Sequence, residues 1–351
     1  MTTPLALPES PKILCFLPHE SVEDGLARLP YLRALRHAFP GAHLTWMVGR
    51  GPSMFRGPLQ PLAKGLIDRV VDSVPIQGRL LELLGRPLAQ DSFDLVLDGQ
   101  QRVMTAMALK RIRTRHFLSA AGDYMLSTRK PAGRASAATT QTARGIGSTE
   151  IAQLLALVEL ATGLPARPAA PLALSPDVRA AARALLPRGP SYVGLAPGAA
   201  DLSLAWPVND YVHIARVLAE NGNAPVFFLG PAEQHWHEPI GAAVPSARFP
   251  VQHASVEHLA AAPDLCIALA ERVGVTVVND GVFAYLAAAA GTPVVGLYGP
   301  TDPERTKPLA SRLTVLRAQD YGSAELSAIP ASKVLQAIAQ ALVTEGRSRA
   351  S

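Results

Sequence analysis

The chain has 351 residues, 48% of them hydrophobic, 17% charged and 5% aromatic, a balance that excludes broad disorder and predicts about two domains with aliphatic cores. Its formal charge of +5 is uneven: residues 1–170 carry 20 Lys and Arg against 13 Asp and Glu, and the rest 13 against 15, so the first half suits anionic ligands or a membrane surface without requiring either. Cys15 and Cys266 match no metal-ligand or disulfide spacing, no apolar run is long enough to span a bilayer, and the N-terminus lacks a leader pattern, which predicts a cytoplasmic protein with reduced core thiols.

Short apolar runs alternate with longer helical patterns along the whole chain, the signature of βα units and a parallel sheet. In the first half, strands are expected over 13–17, 43–48, 70–74 and 95–97, with helices over 26–38 and 103–112. The apolar helix Ile151–Ala161 is followed by Gly163–Pro176, whose four prolines cannot continue a helix and mark a linker. A second series follows, with strands over 193–195, 226–229, 275–278 and 294–297 and an amphipathic helix over 334–342. The expected organisation is a first Rossmann-like domain over 1–165, a Pro-rich linker over 166–176, a second Rossmann-like domain over 177–330, and a C-terminal helix and tail over 331–351. The fold class is α/β, with two parallel-sheet domains facing a cleft. Open sheets of this kind bind ligands beyond the carboxyl ends of their strands, so the βα turns are where chemistry is expected.

Three turns of the second half stand out. Strand 275–278 runs into Asn279-Asp280-Gly281 and then a helix from about Val282. Amides at a helix start suit a phosphate, whereas an Asp there either holds hydroxyls or merely caps the helix. Strand 192–196 leads into PGAADLSLAWP, Pro197–Pro207, where small residues such as Ala199 and Ala200 let the backbone approach a ligand. Strand 226–229 leads into Gly230-Pro231-Ala232-Glu233, again an acid at a helix entrance. Together the turns suggest a sugar nucleotide. His235-Trp236-His237 reads as a solvated helix start, so neither a metal nor a cofactor is expected.

VVNDGVFAYLAAAAGTPVVGLYGPTDPERT, residues 277–306, resembles the signature GNDSGxxHLAAAxGTPxVxLFGPTDPxRT of the ADP-heptose:lipopolysaccharide heptosyltransferases, glycosyltransferase family 9. LAPGAADLSLAWPVNDYVHIARVL, FDLVLDGQQRVMTAMALKR and ILCFLPHESVEDGLARLPYLRALRHAFPGAHLTWMV are similar to three further motifs of that family, in the same order. The resemblance implies a GT-B fold and inverting transfer of a heptose, or a related sugar, from ADP-heptose to a lipopolysaccharide core-type acceptor. It implies that Asp24 is the general base, that Asp280 holds the donor sugar, that the helix start at Gly281 and Val282 takes the diphosphate, and that Glu233 lies near the ribose. Ala199, Ala200 and Leu204 fall on the donor loop.

The chain departs from the family pattern at four places. Leu204 stands where the family has a lysine before WP, Tyr285 replaces a histidine, Gly281-Val282 replaces Ser-Gly, and Glu23 replaces the glycine before Asp24. These changes keep a rival reading open, a GT-B protein that binds a nucleotide or partner without transfer. Arg305 or Lys307, just beyond GPTDP, either compensates for the missing lysine or, more simply, is a surface residue of that loop. The basic run Lys110, Arg111, Arg113, Arg115 is either a solvated helix end or an attraction for an anionic glycolipid or saccharide acceptor at the inner face of the membrane. It lacks the interleaved aromatics of a nucleic-acid surface.

Overall fold

The structure, a computed structural model, describes residues 3–350 apart from 77–84, 132–147, 190, 200, 202–204 and 260–261, and of residues 344–350 the backbone alone. It divides into two compact units, Met1–Ala173 and Leu174–Ser351.

The first unit is built on a five-stranded parallel sheet of order β3-β2-β1-β4-β5: β1 Lys12–His19, β2 His43–Arg50, β3 Arg69–Val71, β4 Ser92–Asp98 and β5 Arg113–Ser119. Central β1 pairs with β2 from Lys12↔His43 to His19↔Arg50 and with β4 from Ile13↔Leu95 to Phe16↔Asp98. Ile13 to Leu17 are buried without alternation, as expected where helices cover both faces of a sheet. Chain order reverses between β1 and β4, the point where a doubly wound sheet opens a crevice at its carboxyl edge. Helix Thr149–Thr162 starts on the Ser148 hydroxyl, which accepts the Ile151 N–H at 3.4 Å, and stops at Gly163 with φ 71°. It packs so closely that a Cβ on Gly99 would lie 2.7 Å from Leu154 and 2.6 Å from Leu17.

Three expectations need correction here. The single helix over 26–38 is two, Val22–Ala27 and Leu29–Ala38, joined at Arg28. Pro30 has no N–H to offer the carbonyl of Leu26, and its ring crowds that carbonyl. The helix expected over 103–112 stops at Leu109, and the residues beyond it form an edge strand, β5, with exposure alternating at Arg113 and Arg115. The strand expected over 70–74 reaches only Val71.

The second sheet has the order β10-β9-β8-β6-β7: β6 Ser191–Ala196, β7 Asn223–Phe227, β8 Val275–Asn279, β9 Val294–Tyr298 and β10 Leu313–Arg317. A single parallel bridge, Val226↔Arg248, adds the rudiment of a further strand outside β7. Its switch point lies between β6 and β8. Val193, Leu195, Val277 and Leu297 pack against Ile214 and Leu218 of helix Val208–Glu220 and against Val334 and Ile338 of helix Ala331–Ala350. The C-terminal helix therefore belongs to the second core. Among the described residues no helix is long and apolar enough to cross a membrane.

Candidate active site

In the first unit the chain leaves β1 through Glu20 and Ser21 into helix Val22–Ala27. The Ser21 hydroxyl accepts the Asp24 N–H at 3.0 Å, and Asp24 Oδ2 accepts the Ser21 N–H at 2.9 Å. This reciprocal pair satisfies two amides that the helix start would otherwise leave open. Asp24 is half-buried, and His19 Nε2 lies 4.0 Å from Oδ2. Glu23 is likewise half-buried.

Neighbouring buried charges hold that turn in place. Glu20 accepts from Trp46 Nε1 at 3.0 Å, from Ser53 Oγ at 2.8 Å and from the Met54 N–H at 2.7 Å, tying the loop after β1 to the loop after β2. Arg28 donates to the His19 carbonyl at 2.9 Å and pairs with Glu150 at 2.8 Å. A buried charge is tolerated only when it is paired and hydrogen-bonded in this way.

Beyond the carboxyl ends of β1, β2 and β4 lies a pocket of about 690 Å³ whose lining includes His19, Arg50, Gln100, Arg102 and Thr105. Arg50 and Arg102 are exposed and form no ion pair with an acid among the described residues. The loop that carries Gln100 and Arg102 rests on Asp98, which is fully buried at the end of β4. Asp98 Oδ2 accepts from Gln100 Nε2 and from Ser119 Oγ, both at 2.7 Å, and Gln100 Oε1 accepts the Arg102 N–H. Burial raises the Asp98 carboxyl to about 7, against the smaller lowering effect of its Ser119 and Gln100 donors.

Lys110, Arg111 and Arg113 are not brought to this pocket. They sit where the chain enters β5, at the amino edge of the sheet and about 20 Å from its carboxyl edge by strand rise. Lys110 donates to the Leu126 carbonyl at 3.1 Å and Arg111 to the Gly85 carbonyl at 2.7 Å.

In the second unit, Ala199, Glu233, Asp280, Gly281 and Val282 all lie at the carboxyl edge of the sheet. Ala200 and Leu204 lie outside the described residues. Among the described residues, chain neighbours aside, the nearest atom to a Cβ added to Gly281 is Ala199 Cα at 4.0 Å, so the turns after β6 and β8 approach one another here. Helix Val282–Ala289 begins with Gly281 at its N-cap and no capping side chain. Asp280 does not cap it; Oδ2 instead accepts from Thr306 Oγ1 at 2.9 Å. The Ala284 N–H bonds to the Gly281 carbonyl at 3.1 Å, and no side chain caps the helix start, the arrangement in which first-turn amides can take an anion. Val282 is exposed at the first helical position.

Glu233 is buried and accepts the Gly230 N–H at 2.9 Å. Glycines surround it of necessity, because a Cβ on Gly198 would lie 2.9 Å from its carboxyl carbon and one on Gly230 2.6 Å from Oε2. The loop after β6 is clasped by Asn279: Nδ2 donates to the Pro197 carbonyl at 2.7 Å, and Oδ1 accepts from the Trp206 N–H and the Tyr211 hydroxyl, both at 3.2 Å. Trp206 is fully buried and donates to the Ile329 carbonyl at 3.0 Å.

Asn279, Trp206, Thr306, Glu20 and the Asp98–Gln100 pair were not singled out as site residues from sequence. Each acts through a contact between distant segments, though Asn279, Trp206 and Thr306 stand inside the quoted motifs. Lys307 departs from its expected place on the surface: it is buried, with its ammonium 2.7 Å from Glu304. His235 bonds to the Ala232 carbonyl and His237 packs edge-on against Phe249, both local contacts.

Two doubly wound parallel sheets, each with uncommitted polar groups at its switch point, define a GT-B fold. The chain belongs to glycosyltransferase family 9 (heptosyltransferase), whose family model matches residues 82–333. It is 34% identical over 131 residues to lipooligosaccharide heptosyltransferase 2 of Haemophilus influenzae, a stretch covering 36% of each protein. Its fold is similar to the crystal structure of a family 9 glycosyl transferase from Veillonella parvula, with a TM-score of 0.65, 18% identity and coverage of 95% and 97% of the two chains. It is also similar to an Escherichia coli heptosyltransferase with ADP-2-deoxy-2-fluoro heptose, with a TM-score of 0.60, 19% identity and coverage of 94% and 99%.

Proposed function

We propose that this protein is an inverting glycosyltransferase that moves a heptose from ADP-heptose to an anionic, lipopolysaccharide core-type acceptor. The observation that carries the reading is the uncapped start of helix Val282–Ala289, beside an Asp280 whose carboxylate is held away from the cap by Thr306. Amides so placed suit a diphosphate and stabilise the charge that develops on it as the sugar departs. Asp280 accepts hydroxyls of the sugar, and Ala199 and Gly281 let the backbone approach the phosphates. Glu233, buried at the next turn, is the acid for the ribose. Structures of an Escherichia coli heptosyltransferase with ADP and with ADP-2-deoxy-2-fluoro heptose support that choice of donor.

On the acceptor side, Asp24 is the general base. Its Oδ2 is committed to the Ser21 amide, and Oδ1 takes the proton of the incoming hydroxyl as that oxygen attacks the anomeric carbon and the bond to the diphosphate breaks. Arg50 and Arg102 supply positive charge for an acceptor bearing phosphate or carboxylate, and the His19 ring offers a hydrogen-bonding edge beside them. This pocket replaces Lys110, Arg111 and Arg113 as the proposed acceptor surface, because it shares an edge of the sheet with Asp24 and they do not.

The test is ADP release from ADP-heptose on addition of a heptose-deficient lipopolysaccharide acceptor, by the wild type and by Asp24→Asn. Transfer by the wild type and its loss in the variant support the reading. Tight ADP-heptose binding with no release by the wild type supports the rival, a nucleotide-binding protein that no longer transfers, which the departures from the family pattern at Leu204, Val282 and Tyr285 motivate. Failure to bind either ADP or ADP-heptose sinks both.

A further inference from the structure

Tyr285 stands where the family pattern has a histidine, and the structure shows what its hydroxyl does. Tyr285 is buried and donates to the Thr306 carbonyl at 2.6 Å. Thr306 Oγ1 in turn reaches Asp280 Oδ2 at 2.9 Å and the Asp302 carbonyl at 3.4 Å. A hydroxyl has one proton to give, and the shorter, charge-assisted contact takes it. The two hydroxyls thus form a chain from helix Val282–Ala289, through the short turn Pro303–Thr306, back to the acid that precedes the helix.

We propose that Thr306 and Tyr285 are positioning residues for the sugar half of the donor. Tyr285 fixes the backbone at Thr306, and the Thr306 hydroxyl fixes Asp280 Oδ2, so that Oδ1 is presented to a sugar hydroxyl. The diphosphate is gripped by helix amides and has no need of this chain. The device therefore separates recognition of the sugar from recognition of the nucleotide, within the donor reading given above, on which it rests.

Calorimetry on the full chain with two probes, ADP and ADP-heptose, tests it. In Thr306→Val, ADP should bind within about twofold of wild type while ADP-heptose weakens about tenfold, the scale of one charged hydrogen bond. Thr306→Ser should restore ADP-heptose binding, and Tyr285→Phe should weaken ADP-heptose about threefold with ADP unchanged. The unchanged ADP affinity certifies that each variant is folded. The inference is overturned if Thr306→Val binds ADP-heptose as wild type does, or loses ADP and ADP-heptose equally. A wild type that binds neither probe overturns the donor reading and the inference with it, an outcome recognisable before any variant is made.

Discussion

Asn279 Oδ1 accepts the Trp206 N–H at 3.2 Å across 73 positions of sequence. Because Nδ2 of the same side chain holds the Pro197 carbonyl at 2.7 Å, one buried amide fixes both the entry and the exit of the loop after β6. Asn279→Ala leaves these groups buried and unpaired, at roughly 1–3 kcal/mol each. The expected outcome is a lower urea midpoint with an unchanged m-value, together with weaker ADP binding. Asn279→Asp should fare no better, since it aims a carboxylate at the Pro197 carbonyl.

Variants at Asp24 and Ser21 should separate catalysis from capping. Asp24→Asn keeps an oxygen for the Ser21 N–H, so the melting temperature should hardly move while the rate of transfer falls by about 10²–10⁴, the range ascribed to a general base. Ser21→Ala should do the reverse, costing about 1 kcal/mol of stability with most of the activity kept. Paired thermal melts and initial rates check both, and equal rate losses in the two variants would show that Asp24 matters only as a cap.

Arg50→Ala and Arg102→Ala should each raise the acceptor KM, by about tenfold for a lost charged contact, with ADP-heptose binding unaltered. Both effects should shrink at high ionic strength, because exposed charges are screened. Lys110→Ala, at the opposite edge of the sheet, should leave the acceptor KM alone.

Asp98 gives the fold a pH dependence of known sign. Its carboxyl is raised by burial from 3.8 to about 7, so the folded chain keeps a proton that the unfolded chain surrenders. The stabilisation is complete below about pH 4 and is lost as pH rises through 7. Asp98→Asn cannot titrate at this position. The stability of wild type minus that of the variant, from urea unfolding, should therefore fall between about pH 4 and pH 7 and level off above. A constant difference would mean that the carboxyl titrates normally.

The central strands were legible because burial on both faces writes an uninterrupted apolar run, as in Ile13–Leu17 and Leu95–Leu97. Edge strands do not write one. β5 begins Arg-Thr-Arg-His, which in sequence reads as part of a basic run, and β10 is only partly buried along its length. The break between the two helices at Arg28 was signalled by Pro30 and missed under the apolar periodicity. Asp24, Asp280 and Glu233 could be named from motif and turn position, but which oxygen each commits, and to what, depends on partners such as Thr306 that no local pattern announces. The place of the basic run is illegible for a related reason: a cluster of arginines in sequence does not reveal which end of a strand it occupies.

The arginines of β5 have a consequence of another kind. An open sheet border offers unpaired amides and carbonyls on which a neighbouring molecule's strand can assemble. Here the inner half of that border is covered, the Phe117 N–H and carbonyl being taken by Thr128 at 2.9 and 2.7 Å. The outer half carries Arg113 and Arg115, like charges that repel the same residues on another copy. A stretch that contributes nothing to the proposed chemistry thus guards the molecule against sticking to itself at high concentration.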